Sequence, residues 1–312
     1  MTNIILVLTG GLGNQLFQIQ FLRSLQAKKS CNIYIDVSLG SPRGKDGIPD
    51  AFEFGMPWPV LDKKNSYYAS KVIGYLLRSG YAPTKLEKVS LFRFLIKVTA
   101  STILSIHYKK FLLASTPHDL GYDVSFNPKA KNFLTMGYFQ SYRYLENKTE
   151  NFNAFKTSPV SDLILEYRKI AKTEKPIIVH VRRGDYSFED NFGLLGEKYY
   201  EFAISKVAML TGSSKIWLFS DEPQTALELI SEKRRKQVRI IQEVERSPAR
   251  TLEVMRLGTG YVIANSTFSW WAAKSAYEAN VPVVAPSIWF KKQKSPRDII
   301  PESWILIDPD FL

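Results

Sequence analysis

Lys175-Pro-Ile-Ile-Val-His-Val-Arg-Arg-Gly-Asp-Tyr186 is the stretch from which the fold of this chain can be read. Ile177, Ile178, Val179 and Val181 make a short β-branched run, the pattern of a parallel strand buried on both faces. His180, Arg182, Arg183 and Asp185 put charge where that strand ends. In an open α/β sheet ligands sit beyond the carboxyl ends of strands, so two adjacent arginines there read as an anion clamp. A guanidinium fork donates two parallel hydrogen bonds and keeps its charge when partly dried, which suits phosphate. The simpler alternative is an exposed basic turn with Asp185 as its internal partner. The strand-end position argues against it.

Downstream the pattern alternates as a βα fold should. A helix is expected over 196–209, then a strand over 215–219 that ends in Ser220-Asp-Glu-Pro223, and a helix over 224–233. A strand over 237–242 ends at Glu243 and Glu245, and a helix over 249–257 leads to a strand over 260–264. That strand opens into Asn265-Ser-Thr-Phe-Ser-Trp-Trp271 and a helix running to Ala279, before a last strand over 281–285. Small hydroxyls and free amides at a strand-to-helix junction suit an anion, although an ordinary N-cap has the same composition. Four polar strand ends in one sheet make a shared crevice the better explanation. Residues 286–312 read as a loop-rich tail packing back across both domains.

Upstream, Ile4 to Leu8 is a first strand, followed by Thr9-Gly-Gly-Leu-Gly-Asn-Gln-Leu-Phe17, an amphipathic helix over 15–29 and a strand over 32–36. Glycines at such a turn let a ligand approach the backbone. Gly11, Gly13 and Asp36 partly match a dinucleotide fingerprint, which raises an NAD(P)-dependent Rossmann oxidoreductase as an alternative. Leu16 stands where the third glycine or alanine belongs and weakens that match. Residues 38–59 read as a long loop, 66–113 as mostly helical, 133–140 as a strand closing the first sheet, and 158–174 as a helix at the domain change. The expected domains are therefore 1–157 and 158–312.

The chain has 312 residues, 45% of them apolar, and six tryptophans, enough for two packed cores. The single Cys31 excludes a disulfide framework, and with three scattered histidines it excludes a zinc site of the usual kind. The net charge of +12 calls for a partner of opposite sign. Between Lys63 and Lys110 ten lysines and arginines face Glu87 alone, interleaved with Tyr67, Tyr68, Tyr75, Leu76, Leu91, Phe92, Phe94 and Leu95. Such a segment reads as a membrane-docking face or as a solvated helical surface. The expectation is a cytoplasmic protein, peripheral at the inner face of the plasma membrane, with no signal peptide and no nucleic acid partner. Asp308-Pro-Asp310 copies a D-x-D metal pair but lacks its strand–loop context, and reads as a surface turn.

Gly10-Gly-Leu-Gly-Asn-Gln15, His180-Val-Arg-Arg-Gly-Asp-Tyr186, Phe219-Ser-Asp-Glu222 and Asn265-Ser-Thr-Phe-Ser-Trp-Trp-Ala272 together resemble the ordered motifs of the bacterial α-1,2-fucosyltransferase family, across essentially the whole chain. The H-x-R-R-x-D element resembles that of α-1,6- and protein O-fucosyltransferases as well. The resemblance implies an α/β protein of GT-B type, two Rossmann-like domains facing across a cleft, the first on the acceptor side and the second binding the nucleotide. It implies GDP-β-L-fucose as donor substrate, inversion, no metal and no cofactor, and a galactose-terminated oligosaccharide or lipid-linked glycan as acceptor. Arg182 would hold the β-phosphate, with Arg183 bracing Asp185. Gly13 and Asn14 would reach the pyrophosphate or fucose, His180 would line the site, and Glu243, or else Asp221, would read guanine. Asn265, Ser266, Thr267, Phe268 and Ser269 would line phosphates and guanosine. The general base stays open among Asp185, Glu189 and Asp190.

Overall fold

The structure is a computed structural model. It describes residues 1–37, 44, 48–61, isolated positions between 91 and 106, the backbone of Leu112–Ser115, and residues 131–145, 157, 159–188, 190–292, 294–296 and 298–312. The ten basic residues between Lys63 and Lys110, most of the 38–59 loop's tip and Glu189 lie outside the described residues. The chain forms two compact units, Met1–Glu150 with Pro296–Ile299, and Asn151–Ser295 with Ile300–Leu312.

In the first unit β1 (Thr2–Val7), β2 (Cys31–Asp36), β3 (Val60–Leu61), β4 (Leu112–Ser115) and β5 (Asn132–Thr135) form a parallel sheet ordered β3-β2-β1-β5-β4. Between β1 and β2 runs α1 (Leu12–Lys28), which is buried on nearly every side and not amphipathic as expected. Its glutamines are internal ties: Gln18 accepts from the Thr9 N–H and donates to the Thr9 carbonyl, each at 3.0 Å. Such closed pairs let amides sit in a core. The strand expected over 133–140 stops at Thr135, and the chain turns further on, where Phe139 adopts φ +49. Part of the C-terminal tail belongs to this unit, where Asp298 accepts from the Tyr142 N–H and pairs with Arg143 at 3.0 Å.

The first described residue of the second unit is Thr157, whose N–H and hydroxyl both donate to buried Glu253. There follow α2 (Asp162–Glu174), β6 (Ile177–Val181), α3 (Glu197–Thr211), β7 (Ile216–Ser220), α4 (Pro223–Glu228) and α5 (Glu232–Arg235). Next come β8 (Val238–Ile240), α6 (Pro248–Met255), β9 (Gly260–Val262), α7 (Thr267–Lys274), β10 (Val283–Pro286) and β11 (Ile305–Ile307). The sheet is parallel throughout and ordered β11-β10-β9-β6-β7-β8, the doubly wound arrangement with β6 central. Every residue of β6 is buried, as its apolar run requires.

Local chemistry sets the ends. Ser161 caps α2 by accepting from the Ile164 N–H, and Lys175 closes it at φ +45 just before Pro176. The helix expected over 224–233 breaks in two. Glu201 of α3 takes the Ser231 N–H at 2.8 Å and Arg234 Nε at 3.1 Å, which pins a new start at that point. The tail also carries β11, an edge strand on β10 that was not foreseen.

Candidate active site

In a doubly wound sheet the ligand crevice opens where neighbouring strands lead their connections to opposite faces. In the second unit that point lies between β6 and β9, and Arg182 follows β6 directly. Its Nη2 lies 2.7 Å from Asp185 Oδ1 and its Nη1 2.9 Å from Asp221 Oδ2, so the fork is held by a carboxylate on each branch. Its Cζ stands 5.7 Å over the Tyr186 ring, and the Tyr186 hydroxyl donates to the Asn265 carbonyl at 3.1 Å. Tyr186 thus ties the loop after β6 to the loop after β9.

The expected bracing of Asp185 by Arg183 is corrected: Arg182 makes that pair. Arg183 instead donates its backbone N–H to Asp221 Oδ1 at 3.0 Å and points its side chain at Glu222, 3.7 Å away. Asp221 thereby fixes both arginines. Gly184 makes room for it, since a Cβ there would lie 2.5 Å from Asp221 Oδ2. This close approach explains a glycine between the arginines and Asp185.

His180 is 5% exposed, tilted against Phe268 at 6.0 Å, and its Nδ1 has no hydrogen-bond partner among the described residues. Burial, and then the nearby Arg182 charge, push its pKa down to about 3, so the ring is neutral. The crevice therefore takes its positive charge from the arginines. Two consecutive tyrosines at the start of α3 support the strand ends. Tyr199 donates to the Ile263 carbonyl at 2.7 Å and Tyr200 to the His180 carbonyl at 3.4 Å, and burial raises the pKa of both phenols. Sequence reading assigned neither tyrosine a role, although a Tyr-Tyr pair at the start of a helix after the arginine motif is visible.

The loop after β9 divides by burial. Asn265 is 1% exposed and its amide donates to the Phe192, Gly193 and Trp289 carbonyls, while the Ser269 hydroxyl donates to the Ser266 carbonyl at 3.2 Å. Both side chains build the loop. Ser266 stands at the N-cap of α7 without a side-chain cap bond, and Thr267 and Phe268 are half-buried. Glu243 is exposed after β8, at the head of a turn in which Glu245 and Arg246 both hold left-handed φ, +53 and +55. Asp190 is exposed and paired with Lys292, whose hydrogen bond and charge hold its carboxyl below the usual range.

The first unit brings its own motif residues together. Gly10 adopts φ +75, where an added Cβ would lie 2.9 Å from Asn14 Nδ2, and Gln140 Nε2 donates to Asn14 Oδ1 at 3.0 Å. Gly13 is buried in the first turn of α1. Asp36, which the oxidoreductase alternative needs for a ribose, is fully buried, and so is Leu16. Among the described residues no group of three or more His, Cys, Asp or Glu could hold a metal ion, and no helix is long and apolar enough to cross a membrane.

Two successive parallel α/β units, one with an arginine pair at the end of its central strand, have the GT-B type of fold. A family 9 glycosyl transferase structure from Veillonella parvula shares this fold with a TM-score of 0.50 at 11% identity, covering 98% of this chain and 87% of its own. Residues 95–308 match the family model of Glycosyl transferase family 11, and the chain belongs to that family, the α-1,2-fucosyltransferase family its motifs resemble. Two Escherichia coli proteins are similar along their whole length. The O-antigen biosynthesis glycosyltransferase WbnK is 27% identical over 96% of this chain and 98% of its own. An alpha-1,2-colitosyltransferase is 25% identical over 99% and 100%.

Proposed function

We propose that the chain transfers L-fucose from GDP-β-L-fucose to the 2-hydroxyl of a β-linked galactose, inverting to an α linkage, in the synthesis of a surface glycan such as O-antigen. The observation that carries this reading is the Arg182 fork at the switch point of the second unit, with Asp185 and Asp221 holding its two branches. Family membership and the names of the two Escherichia coli relatives support it.

In the reaction the acceptor oxygen bonds to C1 of fucose as the bond from C1 to the β-phosphate oxygen breaks. The electron pair leaves on GDP, and the acceptor proton passes to a base. Arg182 supplies positive charge where the leaving diphosphate gains negative charge, which is where a preorganised donor lowers a barrier. Ser266, Thr267 and the first amides of α7 bind phosphate oxygens beside it. Glu243 is the carboxylate available for guanine N1 and N2, since Asp221 already serves both arginines. The hydrogen bond and charge of Lys292 hold the Asp190 carboxyl below its usual range, which weakens it as a base. Asp185 is likewise tied, to Arg182, so the base stays open among Asp185, Glu189 and Asp190. In the first unit Asn14, held by Gln140, and the Gly13 backbone beside it are the polar groups we assign to substrate binding.

A donor lacking the 3-hydroxyl is the second reading, favoured by the colitosyltransferase relative. Incubation with GDP-fucose or GDP-colitose and a panel of galactosides, with product linkage read by NMR, separates the two. Failure of every pairing, with no thermal stabilisation by GDP, would overturn both. Docking to the inner face of the plasma membrane belongs to the same proposal. Leu91, Leu95, Val98 and Ile106, at helical spacing in the basic segment, are exposed. Equal sedimentation with anionic and neutral vesicles would remove it.

A further inference from the structure

Just beyond β5 the backbone is forced through Phe139 at φ +49, a conformation unfavourable for any residue but glycine. The turn survives because the Phe139 ring stacks on Phe21 of α1 at 3.7 Å and meets Tyr144 edge-on at 6.2 Å. Its consequence is the placement of Gln140, which is 2% exposed. Nε2 donates to Asn14 Oδ1 at 3.0 Å, while Oε1 has no hydrogen-bond partner among the described residues. A buried amide oxygen left unpaired is destabilising, and strained backbone collects where a site needs a group aimed in one direction. The position matches. β1 and β5 are neighbours in the sheet, β2 and β3 lie beyond β1, and β4 lies beyond β5, so Asn14 and Gln140 flank the switch point of the first unit.

We propose that Gln140, paired with Asn14, is a sugar-recognition residue whose Oε1 accepts a hydrogen bond from a pyranose hydroxyl. A neutral acceptor beside an amide suits a hydroxyl, which donates and accepts. It repels a phosphate oxygen, which only accepts at this pH. The proposal rests on the glycosyltransferase reading above, and the hydroxyl belongs either to the donor fucose or to the acceptor galactoside.

Q140L tests it, because leucine has nearly the same volume and no polar atom. If Gln140 is structural, Q140L lowers the thermal midpoint and reduces kcat, with both KM values unchanged. If it recognises a sugar, one KM rises by at least roughly tenfold, whether or not loss of the bond to Asn14 moves the midpoint. A rise confined to the galactoside assigns the acceptor, and one confined to GDP-fucose assigns the donor. Stabilisation by GDP, which has no pyranose, stays unchanged in either case. Should Q140L fail to fold, Q140M fills the same slot with a flexible thioether and gives the same readout. Unchanged KM values in a folded, active variant overturn the role of Gln140 alone. Absence of GDP-fucose turnover by the wild type overturns the reading beneath it and the role together.

Discussion

A neutral histidine under the arginine loop has a consequence for stability that can be measured. Burial, then the charge of Arg182, brings the His180 pKa down from 6.5 to about 3. The unfolded chain binds a proton below about pH 6.5, whereas the folded chain stays unprotonated there until about pH 3. Stability is therefore complete above pH 6.5 and falls as the pH drops toward 3. At about pH 5 the unfolded state has gained about 2 kcal/mol from this one group, at 1.36 kcal/mol for each unit below 6.5. His180→Gln keeps a neutral polar side chain and removes the titration. Denaturant unfolding near neutral pH and at about pH 5, followed by tryptophan fluorescence, reads the difference. Trp217, Trp270, Trp271, Trp289 and Trp304, five of the six tryptophans, lie in the second unit, so the signal reports the unit that holds His180. The wild type should lose about 2 kcal/mol more than H180Q over that interval. Equal losses would mean that the ring carries its proton in the fold, and the picture of a crevice charged by its arginines alone would be wrong.

Arg182→Ala should lower kcat/KM by a hundredfold or more, about 3–5 kcal/mol of transition-state stabilisation. A loss below tenfold would remove Arg182 from the leaving-group role. Gly184→Ala should force Asp221 away from the arginines, because its Cβ would come within 2.5 Å of Oδ2. Turnover should drop by roughly tenfold or more with circular dichroism unchanged, and full activity would show that the Asp221 pairing is dispensable. EDTA should leave turnover intact if guanidinium charge alone carries the leaving diphosphate, so strong inhibition by the chelator counts against the mechanism.

How much of this was legible in the chain depends on how local the physics is. The β-branched run Ile177–Val181 and the alternation after it identified the second sheet because burial on both faces leaves a mark in every strand. Helix ends were less legible. The break at Ser231 is pinned by Glu201, thirty residues away in sequence, and the local signal, a serine N-cap followed by Glu232, was passed over. The strand past Thr135 was overextended because the aromatic run reads as β, while the packing of Phe139 on Phe21 turns it. The site divides the same way. The two arginines were visible at a strand end, but which of them meets Asp185 was not, since the choice depends on where Asp221 arrives from β7.

Consecutive residues by themselves determined an alternating βα pattern, an arginine pair at the end of a buried strand, and a set of motifs whose resemblance indicated the family and implied two Rossmann-like halves. Those are properties of consecutive residues, and hydrophobic burial imposes them wherever the sheet forms. Only tertiary structure decided which polar groups of those motifs stay available to a ligand. Asn265 and Ser269 bond to carbonyls of the loops around them, whereas His180 Nδ1, and outside the motifs the Gln140 amide oxygen, have no such partner among the described residues. A hydrogen bond is satisfied by whatever the fold brings within about 3 Å, and sequence distance does not measure that.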